Sequence, residues 1–476
     1  MKLFLSPAIS RPAQHALQGA VWLAQGVVLV GLMLCVFGCS KTKDPLPGQR
    51  QDILQDAALP PVKPGPHPFQ ATKGQALAAW PLPFLSTENR VRPVRMTAES
   101  VLASKDHAYA PFQGLLFKEA WSYTNAKSGS ASLLMPPVVQ GGMAFFVGGD
   151  ACVHAVSADS GKKIWVRDFS DILKKDGPTL GGGVVFYKNR LYATLPQGLL
   201  VCLDPKSGKV LWFQKTGGLL RAAPTVHASG LVFVLSMRGQ LEAFDVKTGQ
   251  SMWMHTSMPG QFSLRGAALP SVSHDVVVVA YGSGEVYALA PQTGRVLWTQ
   301  TLWTKDPFDI LDPAYITASP VIRGKVVTVV TPTKMVSMDL KTGDQRWQVA
   351  AGGTETPFII KDNIFCVSGG QDLVRLSYKD GGVLWRVNLN AVKLGDQKPD
   401  LQTRWLGPLM INGNLYVLSS TGLVLAIEPE KGRVLGQSLE KAGACTMPLT
   451  PLEAGAFVLS QNGALHFYKA LQQTNK

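Results

Sequence analysis

The stretch Leu203-Asp204-Pro205-Lys206-Ser207-Gly208-Lys209-Val210-Leu211-Trp212 decides the fold, because its pattern returns along the whole chain. Phe244-Asp245-Val246-Lys247-Thr248-Gly249 leads to Trp253, and Ala290-Pro291-Gln292-Thr293-Gly294 leads to Trp298. Met338-Asp339-Leu340-Lys341-Thr342-Gly343 leads to Trp347. Gly161 and Gly381 stand four residues before Trp165 and Trp385, and Gly432 stands four before Gly436, where the tryptophan is missing. The glycines recur at intervals of about 45 residues, the spacing of one supersecondary unit in a repeat architecture.

The columns around that glycine obey a physical rule. Five residues before it stand Val156, Leu203, Phe244, Leu289, Met338, Leu376 and Ile427, all apolar. Eight before it stand Val153, Leu200, Leu241, Val286, Met335, Leu373 and Val424, again apolar. Six before it the residues are small (Ala155, Cys202, Ala243, Ala288, Ser337, Ala426), with Arg375 the exception. Apolar residues on both faces mark a strand packed on both sides, with one face too close to its neighbour for large side chains. The Asp-x-x-Ser/Thr-Gly segment is a hairpin turn, capped by aspartate and ended by a glycine with positive φ. An earlier hairpin precedes each turn, as Gly230–Ser236 precedes Arg238-Gly239-Gln240. Four strands in about 45 residues is a propeller blade. A sandwich would not repeat so regularly, and a solenoid coil would be shorter.

Eight segments resemble the inner strands of such blades, opening at Pro136, Pro178, Pro224, Pro270, Pro320, Pro357, Pro408 and Pro448. Seven carry a full turn and outer strand after them; the last stops near Tyr468. The missing outer strand is at the front, where Glu119-Ala120-Trp121-Ser122-Tyr123 lies one period before Trp165. The expected fold is therefore all-β: an eight-bladed β-propeller over residues 113–476, its four-stranded antiparallel blades closed by the N-terminal strand joining the C-terminal blade. Closure leaves no open end to the ring.

Ahead of the ring the composition changes. Lys2 and Arg11 precede an apolar run from Val21 to Phe37, which ends at Val36-Phe37-Gly38-Cys39. A small residue directly before cysteine resembles the lipobox of bacterial lipoproteins, which predicts a signal peptide over 1–38 and lipidation of Cys39. Phe37 departs from that pattern, where a small residue is usual. An uncleaved transmembrane anchor is the alternative reading of so long a run. In proteobacterial lipoproteins Ser40 in place of aspartate implies transfer to the outer membrane, facing the periplasm. Residues 39–112, rich in proline, read as an extended tether.

The net charge is +14, compatible with anionic partners. The lysines and arginines are scattered through turns without a basic block, and the export signal argues against nucleic acid. Cys152, Cys202, Cys366 and Cys445 show no CxxC or adjacent pair. Two disulfides are permitted by count, and buried strand thiols are the reading preferred. No Gly-x-Ser-x-Gly, His-Glu-x-x-His or phosphate loop occurs, and the eight histidines are dispersed. No catalytic residue, metal site or cofactor is expected.

The Gly-x-x-x-Trp outer strand resembles the docking motif of quinoprotein-type propellers, in which the indole packs between adjacent blades. That resemblance assigns blade docking to Trp121, Trp165, Trp212, Trp253, Trp298, Trp347 and Trp385. Two families use the motif on eight blades. One is the pyrroloquinoline-quinone dehydrogenases, which grip their cofactor with an adjacent cysteine pair that this chain lacks. The other is the BamB family of outer-membrane assembly lipoproteins, non-catalytic subunits of the β-barrel assembly machinery, and the lipoprotein start favours it. The stretch Pro45-Leu46-Pro47-Gly48-Gln49-Arg50 resembles alphaproteobacterial members.

Phe262-Ser263-Leu264-Arg265-Gly266 resembles the Leu-x-Leu-Arg-Gly segment with which BamB proteins contact the barrel insertase BamA, Phe262 replacing the first leucine. The family places two aspartates in the next inter-blade connection, where Asp309 and Asp312 are the candidates, spaced by three instead of two. The resemblance implies a BamA-like insertase and other Bam subunits as partners, unfolded outer-membrane proteins as possible clients, and a lipid anchor in the membrane. A quinone-dependent periplasmic dehydrogenase and a propeller lipoprotein of another envelope complex are the competing readings.

Overall fold

The turn that opens the repeat forms around its aspartate and glycine. Asp204 Oδ1 accepts from the backbone N–H of Lys206 (3.1 Å) and Ser207 (2.8 Å), and Gly208 N–H donates to Asp204 O at 2.8 Å. Gly208 takes φ +69°, which a side chain would resist. Asp245 and Asp339 repeat the arrangement, and these bonds hold all three carboxyls below the ordinary aspartate range.

Each such turn joins the third and fourth strands of a blade. The computed structural model describes residues 75–76, 94–95, 99–102, 115–124, 135–173, 181–257, 268–302, 316–392, 403–439, 443–445, 447–461 and 463–474. Within them lie eight four-stranded antiparallel blades. In chain order they occupy 138–167, 183–215, 225–256, 271–301, 321–349, 358–388 and 405–439, called blades 1 to 7. Blade 8 takes three strands from 450–474 and its fourth from Leu115–Tyr123. That fourth strand runs antiparallel to Leu465–Thr474, with Trp121 opposite Phe467. The ring is closed by the two ends of the propeller sequence, as its repeat count predicts.

The register explains the small column. Ala155, Cys202, Ala243, Ala288, Ser337 and Arg375 stand opposite Trp165, Trp212, Trp253, Trp298, Trp347 and Trp385 on the neighbouring strand. Paired residues share a face, so a small side chain there leaves room for the indole. The crowding thus comes from within the blade. Immediately after this pair the register shifts in all eight blades, from Ala155/Val156 in blade 1 to Phe467/Tyr468 in blade 8. A bulge at a fixed point re-aims the outer strand and increases its twist.

The indoles then cross between blades. Trp165, Trp212, Trp253, Trp298, Trp347 and Trp385 each donate Nε1–H to a carbonyl in the next blade's turn: Pro205, Val246, Pro291, Leu340, Tyr378 and Pro429, at 2.8–3.3 Å. Each ring lies flat on the glycine of that turn; a Cβ on Gly208 would come within 2.7 Å of Trp165. The turn glycine therefore serves both its own backbone and its neighbour's tryptophan. Trp121 covers Gly161 in the same way, although its buried Nε1 has no acceptor among the described residues.

Gly436 stands opposite Ala426 where the seventh tryptophan would be. The next blade is blade 8, whose third and fourth strands come from opposite ends of the chain, so it has no Asp-x-x-Gly turn for an indole to cover. A parallel bridge, Leu439 to Phe117, joins the two outer strands instead. Blade 7 also carries two register shifts on its outer strand.

Arg375, the large residue in the small column, is buried and bonded. Its Nε donates to Asn363 Oδ1 and its Nη1 to Glu430 O, both at 2.7 Å, so the guanidinium reaches the turn of blade 7. Arg375→Met keeps the bulk and removes the donors, taking from buried Asn363 and part-buried Glu430 O the bonds that Arg375 makes to them. It is expected to lower stability by about 1–3 kcal/mol, read as a shift in the urea midpoint; an unchanged midpoint would show that the bonds contribute nothing.

The four propeller cysteines are buried free thiols. Burial pushes Cys202 up to about 11 and Cys366 and Cys445 to about 12, far from the reactive thiolate. Ahead of the ring, Glu99–Leu102 pairs in parallel with Leu471 to Thr474, and Val94 pairs in parallel with Ile411.

Candidate functional site: one face of the ring

In a four-stranded antiparallel blade the chain enters and leaves at the same end. All connections between blades therefore share one face with the turns between second and third strands, while the Asp-x-x-Gly turns occupy the other. The connection from blade 3 to blade 4 holds Phe262, Leu264, Arg265 and Gly266; that from blade 4 to blade 5 holds Asp309 and Asp312. These six residues, and Cys39, lie outside the described residues.

The roots of both connections are described, and they are tied together. Leu269 N–H, at the end of the first, donates to Ser319 Oγ, at the end of the second, at 2.9 Å. Ser271 Oγ donates to Pro320 O. Ser319 N–H in turn donates to Thr356 Oγ1 at 3.1 Å, and Thr317 Oγ1 to Thr354 O at 3.1 Å. Three successive connections are thus bonded side by side near the inner strands.

The first connection leaves blade 3 beside an aromatic cluster. His255, on the outer strand, sits 2.7 Å through Nδ1 from the Tyr281 hydroxyl of blade 4, and its ring centroid is 4.5 Å from that of Tyr287. Tyr287 OH donates to Glu285 Oε1 at 3.2 Å, and Ser283 Oγ to Oε2 at 3.0 Å. Burial pulls His255 down against the opposing pull of Glu285, and it pushes Tyr281 well above 10. Desolvation favours the neutral imidazole, and its 2.7 Å contact with the Tyr281 hydroxyl ties the strand from which the connection departs to blade 4. Sequence patterning gave no hint of this cluster, because its members are spread over two blades.

Glu355 lies on the third of these connections. Its Oε2 accepts from Gly407 N–H (3.4 Å) and its Oε1 faces the Thr354 hydroxyl (3.5 Å), while Arg404 Nη2 donates to Thr354 Oγ1. Burial raises Glu355 to about 7, against the nearby positive charge of Arg404. These neighbours hold a carboxyl in place; they do not form a nucleophile–base pair. Among the described residues, no three His, Cys, Asp or Glu side chains are grouped to hold a metal ion.

The sign of the resulting pH dependence follows from proton count. Between an ordinary glutamate value of 4.5 and about 7 the folded form of Glu355 holds a proton that the unfolded form has lost. Stability therefore falls as pH rises through that window and is level above it. Glu355→Gln is expected to be nearly neutral at pH 4.5 and to stabilise by about 1–3 kcal/mol at pH 8, after allowance for solvent access. Urea midpoints at the two pH values check this; equal differences at both would refute it.

Residues 149–385 and 351–470 match the family described as outer membrane protein assembly factor BamB. The chain belongs to the BamB family. The BamB of Escherichia coli (strain K12) is 26% identical over 339 residues, covering 69% of this chain and 83% of its own. An uncharacterised protein of Rickettsia prowazekii (strain Madrid E) is 27% identical over 340 residues, covering 70% and 80%. Among solved structures, BamB from Moraxella catarrhalis matches with a TM-score of 0.60 at 17% identity, over 74% of this chain and 100% of that one. Quinohemoprotein alcohol dehydrogenase from Comamonas testosteroni matches with a TM-score of 0.57 at 14% identity, over 76% and 77%. At such identities both structural likenesses speak for the propeller alone. Membership of the BamB family rests on the match along the sequence.

Proposed function

We propose that this chain is a non-catalytic scaffold lipoprotein of the machinery that assembles outer-membrane β-barrels. It binds a BamA-like barrel insertase through the connections 258–267 and 303–315, and works beside other Bam subunits. The family match over the propeller carries this reading, and the shared roots of the two connections support a single binding surface. Leu264 and Phe262 supply apolar anchors beside Arg265, a composition common at interface hot spots. Gly266, Asp309 and Asp312 complete the surface. A signal peptide over 1–38, a lipid on Cys39 and a tether over 39–112 hold the ring at the outer membrane, facing the periplasm.

Extended client strands are a second class of partner for the same scaffold. The outer strands of blades 1 to 3 expose Ile164 and Val166, Leu211 and Phe213, and Met252 and Met254, alternate residues on edges that no other described strand pairs. Such edges accept added strands through their free backbone groups.

Arg265→Glu in the full, membrane-anchored chain is expected to weaken co-purification with the insertase at least tenfold, an order typical of hot-spot loss, with the melting temperature unchanged. Undiminished capture by a folded Arg265→Glu protein would remove this site from the proposal.

A further inference from the structure

The connection one blade earlier repeats the chemistry. Leu220-Arg221-Ala222-Ala223-Pro224 precedes blade 3 as Leu264-Arg265-Gly266-Ala267-Ala268-Leu269-Pro270 precedes blade 4. The two arginines stand about one blade period apart. Unlike the later copy, the earlier one is described in full.

Its backbone is fixed and its side chains are unspent. Residues 216–221 run as a strap between the second turns of blades 2 and 3. Leu220 N–H donates to Pro196 O at 3.3 Å, Met237 N–H donates to Leu219 O at 2.8 Å, and Leu220 bridges Ser236. Leu220 is buried and anchors the strap, while Leu219 beside it is 36% exposed, the one large exposed apolar side chain among the described residues that lies off the outer strands. Arg221 Nε donates to Met237 Sδ at 3.0 Å, a weak acceptor, and Nη1 is buried with no acceptor among the described residues. Burial alone acts on this guanidinium, with no carboxylate opposing it. Arg238 is exposed next door, its side chain packed along Gly218. Neither arginine takes part in a salt bridge among the described residues.

We infer that Leu219, Arg221 and Arg238 form a second docking point on the connection face, receiving an extended segment of the partner that carries a carboxylate beside an apolar side chain. The inference rests on the scaffold reading above and extends its surface by one blade. Charge complementarity sets the occupant. A guanidinium whose described neighbours offer only a thioether as acceptor gains from an incoming carboxylate, while Leu219 supplies the apolar contact. A lysine keeps the charge and loses the Nε–H that holds the side chain against Met237.

The test places a photo-crosslinking amino acid at position 219, at position 264, and at Gln292 on the opposite face, in the full membrane-anchored chain, and probes adducts for the insertase. Adducts at 219 and 264 but not at 292 are expected. An adduct at 264 without one at 219 overturns this second point and leaves the scaffold reading standing. Absence at both overturns the two together. In parallel, Arg221→Glu should weaken insertase binding about tenfold and Arg221→Lys by less, with melting temperatures unchanged because the strap is held by backbone bonds. Equal, full-strength binding by both variants also overturns the point.

Discussion

A chain that begins at residue 125 is expected to lose the ring, eluting as an aggregate or an expanded species without near-ultraviolet circular dichroism. Leu115–Tyr123 meets Leu465–Thr474 in eight registered pairs, and its loss leaves blade 8 with three strands. It also removes Phe117, which packs edge-on against Tyr416 at 5.9 Å, and Trp121, which packs against Phe457 at 5.5 Å and Phe467 at 5.8 Å. Two aromatic side chains bury about 150–250 Å² each, which at about 25 cal/mol/Å² is on the order of 10 kcal/mol as an upper bound. That equals the whole stability of an ordinary domain, about 5–15 kcal/mol. A chain that begins at residue 104 lacks the short pairings of 94–102 but keeps the closing strand, and should still unfold cooperatively. A monomeric, cooperatively melting 125–476 chain would contradict closure by this strand.

Trp298→Ala should lower stability by about 3–5 kcal/mol, the range for truncating a buried tryptophan. Trp298 is 8% exposed, covers Gly343 and donates to Leu340 O at 2.9 Å. Truncation opens a cavity between blades 4 and 5 and strips a carbonyl of its donor. Gly436→Trp restores the repeat on paper, yet it should destabilise. Gly436 has φ +147°, and blade 8 offers no turn for the indole to cover. Denaturant midpoints of both variants check the pair. A stabilising Gly436→Trp would mean that the tryptophan is worth something without its glycine.

The sequence made the ring legible because each blade states the same rule again. Turn glycine, docking tryptophan and small column recur, and the incomplete last repeat points to its missing strand at Trp121. The reason for the small column was not legible, since it depends on Ala155 or Ser337 facing an indole across a strand register. Arg375 stood out as an exception, but its bonds to Asn363 and Glu430 join residues 12 and 55 positions away. The parallel pairing of Glu99–Leu102 had no alternation or turn to announce it. On the candidate face, Leu264 and Arg265 were readable as a motif. Glu355 and the His255–Tyr281 contact were not, because burial by distant segments creates their properties.

The noncovalent seam has a consequence for the order of events in time. Synthesis and export both proceed from the N-terminus, so Leu115–Tyr123 emerges before any blade and has no partner until residues 465–474 follow. Seven complete blades can form in the interval, each presenting a free outer edge that could capture the waiting strand wrongly. Only one of them opens the ring at Gly161, the glycine that Trp121 covers. Folding of the ring therefore ends on the strand with which the propeller opens, and the closed ring records that residues 465–474 have arrived.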